Sequence, residues 1–158
     1  MTPLGIRPAC PDDAAAMARV FAAAIDVKAR DSYGPRERAA WIARGTTERF
    51  AAMIEDQHNR LLVGETDGQM LAIGGLTGCE VSLLYAAPDA PTGTGAFMLA
   101  AVEALARADG ITGLGLTASR NALTFYLRQG YAIVRLARRP LDGGVALPVC
   151  ILAKTLAP

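Results

Sequence analysis

The sequence predicts a single α/β domain, and three observations carry the prediction. A chain of 158 residues is about one average domain long, and a domain of that size buries roughly two-thirds of the surface its unfolded chain would expose. Strand-like apolar runs alternate with stretches of helical spacing along the whole length, as in a mixed α/β domain. No internal repeat, linker or low-complexity tract interrupts the alternation, so residues 1–158 read as one domain.

The elements follow in order. "LGIRPA" is a short strand. "PDDAAAMARVFAAAIDVKA" is a first helix, with Pro11 and two acids at its start and Met17, Val20, Phe21 and Ala24 on one face. "GPRERAAWIARGTTERFAAMIEDQ" keeps helical spacing at Trp41, Phe50, Met53 and Ile54 but breaks at "RGTT"; Gly45 ends one short helix and Thr47 caps the next. "RLLVGET", "DGQ" and "MLAIGGLTG" form a hairpin whose turn rests on Asp67 and Gly68, and "EVSLLYA" is a third strand. "AFMLAAVEALARADG" is the longest helix, striped by Leu99 and Val102 and ended by Gly110. "ITGLGLTA" is a strand, "SRNALTFYLRQG" a helix with Ser119 at its N-cap and Gly130 at its end, and "YAIVRLAR" and "VALPVCILAKTL" close the chain around "PLDGG". The resulting order is β-α-α-β-β-β-α-β-α-β-β.

Composition excludes several classes. No apolar run approaches the roughly 18 residues a membrane helix needs, and "MTPLGIRPAC" lacks the apolar core of a secretion signal, so a cytoplasmic protein is expected. Cys10, Cys79 and Cys150 are odd in number and far apart, which argues against a disulfide framework or a metal site and for buried reduced thiols. A net charge of +1, with basic residues scattered, gives no nucleic-acid footprint. One histidine, His58 in the polar stretch "EDQHNR", and three serines leave almost nothing from which to build a Ser-His-acid hydrolase or a histidine-ligated metal centre.

The candidate chemistry begins at "PDAPTGTGAFML", residues 88–99, where two glycines stand between a strand and a helix. A Walker loop fails because the chain's lysines, Lys28 and Lys154, both lie elsewhere. A Gly-x-Gly-x-x-Gly fingerprint fails because its third position is Met98. What remains is a first helical turn whose free N–H groups, cleared of side-chain bulk by Gly93 and Gly95, offer a cradle that suits a pyrophosphate.

Together with "NALTFYLRQGY", this region resembles the GCN5-related N-acetyltransferase (GNAT) family. The family's strand ends in a pattern like Leu-x-Val-x-Pro, here "LYAAP" from Leu84 to Pro88. There follows Gln or Arg-x-x-Gly-x-Gly or Ala, whose glycines fall on Gly93 and Gly95. Ala90 occupies the Gln or Arg position, and the loop is one residue shorter than the usual form. The later pattern Asn-x-x-Ala-x-x-Phe-Tyr-x-x-x-Gly-Phe or Tyr meets Ala122, Phe125, Tyr126, Gly130 and Tyr131, with Ser119 in place of its Asn and Asn121 two residues on.

The resemblance covers nearly the whole chain and implies the GNAT fold: a mixed, mostly antiparallel central sheet flanked by helices. It also implies acetyl-CoA as co-substrate, with no metal, and direct attack by a primary amine of a small molecule or peptide. No nucleic acid or membrane partner is expected, and a homodimer is compatible. By the same resemblance, backbone groups of Leu84, Tyr85 and Ala86 would hold the pantetheine arm, and amides of Thr92, Gly93, Thr94, Gly95 and Ala96 the pyrophosphate. Ser119 or Asn121 would supply a further contact to the cofactor, and Tyr126 would donate to the leaving sulfur. The alternative for Tyr126 is a packing tyrosine behind Phe125.

Glu80, on the face of Ser82 and Leu84 by simple alternation, is the best carboxylate for a general base; the alternative is a solvated acid at a strand end. Tyr33 and Trp41 are candidates for the acceptor pocket, with core packing as the alternative for Trp41, and Arg36 and Arg38 for meeting an acidic substrate. A non-catalytic domain of the same fold, sensing acyl-CoA or binding a partner, remains the competing reading.

Overall fold

A computed structural model describes residues 2–158. The strands are β1 (Gly5–Pro8), β2 (Asn59–Thr66), β3 (Gln69–Thr77), β4 (Glu80–Ala86), β5 (Gly113–Ser119), β6 (Ala132–Pro140) and β7 (Ala146–Thr155). The helices are α1 (Ala14–Lys28), α2 (Pro35–Ile42), α3 (Thr47–Glu55), α4 (Thr94–Ala108) and α5 (Leu123–Arg128). Three helices separate the first two strands, as the break at Gly45 implies; the order β-α-α-β counts the second helical stretch once.

Local chemistry explains most of the boundaries. The cap of α3 is Thr46, one residue before the expected Thr47: its hydroxyl accepts from the Arg49 amide at 3.1 Å. Pro11–Asp13 forms a 3-10 turn ahead of α1, and the Asp13 carboxylate accepts from the Cys10 amide at 2.8 Å. Arg120–Ala122 likewise forms a 3-10 turn ahead of α5, with Ser119 at the cap position but without a side-chain bond. The β2–β3 turn places Asp67 and Gly68 at φ 52° and 77°, matching the right-handed twist of the hairpin.

The strands form one seven-stranded sheet in the order β1-β2-β3-β4-β5-β7-β6. Every neighbouring pair is antiparallel except β4 and β5, which run parallel and meet in a single register pair, Glu80 with Gly115. One face is covered by α1, α2 and α3, around Met17, Phe21, Ile25, Phe50, Val63, Ile73 and Leu83. The other is covered by α4 and α5, around Leu76, Met98, Leu99, Val102, Leu114 and Leu152. Burial of this order is what stabilises the sheet, at about 1.5–3 kcal/mol for each large side chain.

Two expectations about the core need correction. Cys10 and Cys79 are exposed, and Cys150 alone of the three cysteines is buried, because Cys10 lies in a loop and Cys79 in the β3–β4 turn. Simple alternation along β4 also fails. The register against β3 shifts between Gly75 and Leu76, and the bulge turns Val81 and Leu84 to the α4 face while Leu83 and Tyr85 face α1. Glu80 and Leu84 therefore do not share a face in the way that period two implies.

Candidate active site

Beyond the pair Glu80–Gly115, β4 and β5 separate, and the gap opens into a cavity of about 430 Å³ lined by β4 from Glu80 to Ala86. Antiparallel pairing decides which β4 groups face it. The Ala87 amide donates to the Leu71 carbonyl at 2.8 Å, so, alternating back along the ladder, Tyr85 and Leu83 direct their backbone groups to β3. Leu84 and Ala86 direct theirs into the gap, where no strand meets them. Of the three residues expected to offer backbone groups, Leu84 and Ala86 do so. Tyr85 contributes its side chain to the cavity wall instead.

The loop after β4 ends in Gly93, at φ 94° in the left-handed region, which reverses the chain into α4. Among the described residues, the amides of Thr92, Gly93, Gly95 and Ala96 meet no acceptor. Thr94 departs from expectation: its amide donates to the Pro91 carbonyl at 3.1 Å and its buried hydroxyl to the same oxygen at 2.7 Å. The Thr94 side chain thus fastens the loop, and four amides rather than five are left at the positive end of a 15-residue helix. Gly95 joins the cavity wall, with Thr92, Gly93 and Ala96 outside it.

Tyr126 reaches the cavity from α5, packed edge-on against Phe125 at 5.1 Å and Tyr131 at 5.7 Å. Its hydroxyl has no hydrogen-bond partner among the described residues. Burial holds its pKa well above the ordinary tyrosine value, and nearby Tyr85 adds to the shift, so the phenol stays protonated across the neutral and alkaline range. Ser119, Asn121 and Phe125 line the same wall. Glu80 stands exposed where the gap begins.

The acceptor side divides the sequence-derived candidates. Trp41 lines the cavity, half-buried, with its ring 6.4 Å from that of Tyr85. Tyr33 does not line it. Its side chain is buried, its hydroxyl donates to the Pro148 carbonyl at 2.6 Å and accepts from the Arg120 amide at 3.0 Å, and its ring meets Trp41 at 5.8 Å. Tyr33 therefore ties β7 to the α5 entry and supports Trp41 from behind.

Neither arginine foreseen for an acidic substrate lines the cavity. Arg36 donates to the Gly143 carbonyl at 3.0 Å and Arg38 to the Tyr33 carbonyl at 2.7 Å. The cations that do line it are Lys28 and Arg139. Partial burial lowers the Lys28 pKa. Burial pushes the Tyr85 pKa up to about 12, against a pull downward from Trp41 and from the Arg139 charge. Nothing in the sequence singled out these two residues: Lys28 closes an ordinary helix and Arg139 sits in an arginine-rich strand.

Comparison with known proteins agrees with this geometry. A family model described as Acetyltransferase (GNAT) domain matches residues 29–144. A GCN5-related N-acetyltransferase structure from Rhodopseudomonas palustris aligns with 99% of this chain and 97% of its own, at 30% identity and a TM-score of 0.90. PaiA N-acetyltransferase from Thermoplasma acidophilum, solved in complex with coenzyme A, aligns with 98% of this chain and 99% of its own at 18% identity and TM-score 0.80. YncA from Salmonella typhimurium, solved with acetyl-CoA, aligns with 99% of this chain and 96% of its own at 18% identity and TM-score 0.65. At such identities the last two speak for the fold. Among curated proteins, none matches the chain.

Proposed function

This chain belongs to the GNAT acetyltransferase family, and from that premise we propose that it is a single N-acetyltransferase domain moving the acetyl group of acetyl-CoA directly to a primary amine of a small molecule or peptide. The observation that carries the reading is one cavity that joins the unpaired edge of β4, the Gly95 end of a row of free amides and the unpartnered hydroxyl of Tyr126.

The residues present fit the co-substrate. The free amides of Thr92, Gly93, Gly95 and Ala96 suit a pyrophosphate, because an anion there meets N–H donors and the positive end of α4 together. Leu84 and Ala86 would take a pantetheine amide as a further strand takes its partner, and Ser119 and Asn121 would add polar contacts opposite.

Acetyl-CoA, when bound, supplies a thioester carbonyl: the C–N bond to the amine forms, the C–S bond breaks, the amine loses a proton and the sulfur leaves as thiolate. Glu80 takes the amine's proton, through water, at the point where the strands part. Backbone N–H groups of the open β4 edge stabilise charge on the carbonyl oxygen. Tyr126, on the cavity wall, would stand against the leaving sulfur. Its pKa lies far above that of a thiol, so full proton transfer would run uphill, and its contribution is chiefly a hydrogen bond to the developing thiolate. Trp41 and Ile25 on the α1 face and Gly95 at the start of α4 line the same cavity, so the two reactants would approach from opposite faces of the sheet.

Calorimetric titration with acetyl-CoA, followed by thiol release across a panel of amines, tests the reading. Micromolar binding with release is expected. No binding at millimolar ligand removes the enzyme, whereas binding without release from any amine makes the chain an acyl-CoA sensor.

A further inference from the structure

Three charged side chains line the cavity: Glu80, Lys28 and Arg139. Lys28 and Arg139 form no ion pair with any carboxylate among the described residues. Both belong to the α1 face of the sheet. Lys28 is the last residue of α1, and Ala24 and Ile25 of the same helix line the wall beside it. On β6, Ala137 packs into the α1-side core opposite Val149, and Arg139 pairs with Leu147 two residues on with no register shift between. Alternation gives Arg139 the same face as Ala137, and its charge is felt at the Tyr85 hydroxyl. Trp41 belongs to this face too.

The free amides at the start of α4 belong to the opposite face. The chain thus holds two separate centres of positive potential, one on each side of the opening between β4 and β5. The second centre stands at the exposed rim of the cavity, with Trp41 and Ile25 in the wall below it, so that a bound carboxylate would meet two charge-assisted donors.

We infer that the acceptor amine carries a carboxylate, held by Lys28 and Arg139 on the α1 face while the amine itself reaches the opening beside β4. The inference rests on the acetyl-transfer reading above and names the acceptor class it leaves open. A guanidinium takes a carboxylate with two parallel N–H bonds and an ammonium adds a point charge, so the pair suits a planar anion. The same two cations disfavour a polyamine, which would bring further positive charge to them. They also lower the pKa of an ammonium bound nearby, which raises the fraction of acceptor in the neutral, attacking form.

The test compares acceptors that differ in the carboxylate alone. Leucine and 4-aminobutyrate are each run beside their primary carboxamides in a thiol-release assay, with rates expressed per deprotonated amine, on the wild type, Lys28→Gln, Arg139→Gln and the double variant. At least one acid should exceed its amide by about tenfold or more in kcat/KM, as a charge-assisted pair predicts. The gap should shrink to within about threefold in the double variant, mainly through KM. Acids and amides used equally well by the wild type, or a gap that survives both substitutions, overturns the inference.

A second measurement keeps it separate from the transfer reading. Trp41 is the chain's one tryptophan and lines this cavity, so its fluorescence reports on the subsite without acetyl-CoA. A saturable change with acid but not with amide, lost in the double variant, supports the carboxylate site whether or not transfer occurs. Equal responses to both overturn it. Failure of the transfer reading shows instead as absence of acetyl-CoA binding in the calorimeter.

Discussion

Lys154 on β7 donates to the buried carboxylate of Glu103 on α4 at 3.0 Å, and the bond crosses from the sheet to the helix whose first turn offers the free amides. The Tyr131 hydroxyl adds a bond to the same carboxylate at 2.8 Å, and the Lys154 ammonium also donates to the Gln129 carbonyl at 2.8 Å. Removing one partner of such a pair leaves a buried charge without compensation. Glu103→Ala should lower stability by about 3 kcal/mol, read from urea unfolding. Combining Glu103→Leu with Lys154→Met should recover most of that loss, because neither charge is then left alone.

Tyr126→Phe should lower kcat about tenfold or more while leaving acetyl-CoA affinity within about threefold. Because burial raises the phenol's pKa, the wild type should show no fall in kcat from tyrosine ionisation up to about pH 10, the ordinary tyrosine value. A pH–rate profile from 6 to 10 reads both. Unchanged turnover in the variant makes Tyr126 a packing residue.

Gly93→Ala places a Cβ in open space but at φ 94°, so the strain is in the backbone and not in contacts. The cost is about 1–2 kcal/mol, relieved if the loop rotates and takes its amides out of alignment. Acetyl-CoA affinity should fall by about tenfold in the calorimeter, with a circular dichroism spectrum like the wild type. An unchanged Kd removes the loop from the anion site.

The Asp13 carboxylate, held by Arg7 at 2.7 Å, has its pKa lowered from 3.8 to about 2, chiefly by that bond. A lowered folded-state value means the contribution is fully present above pH 3.8 and lost as pH falls towards 2. Because Arg7 is partly exposed, the contribution is about 1–2 kcal/mol. Denaturant midpoints at pH 6 and pH 3 should differ less in Asp13→Asn than in the wild type. An equal difference in both proteins assigns the acid sensitivity to other groups.

The strands, the hairpin turn and the long helix were legible because local signals carry them: alternating apolar runs, Asp67-Gly68, and the Gly110 that ends α4. That Tyr126 and Gly95 would meet at one cavity was suggested by motifs that are each contiguous in sequence. Tyr33 was misread because a tyrosine's polar end can face a pocket or a backbone carbonyl 115 residues away, and spacing does not choose between them. The β4 bulge was invisible because it arises from pairing with β3. Lys28 and Arg139 were missed because 111 positions separate them in sequence, and α1 and β6 are brought to one cavity by tertiary packing.

The single pair at Glu80–Gly115 leaves a strand in the middle of the sheet with the solvent behaviour of an edge. Hydrogen exchange makes that visible residue by residue. Leu83 and Tyr85, bonded into the ladder with β3, should be protected close to the level of the core, while Leu84 and Ala86, alternating with them, exchange as fast as loop amides. Protection along β4 should thus alternate with a period of two, and an acyl-CoA that pairs with the open edge would erase the alternation.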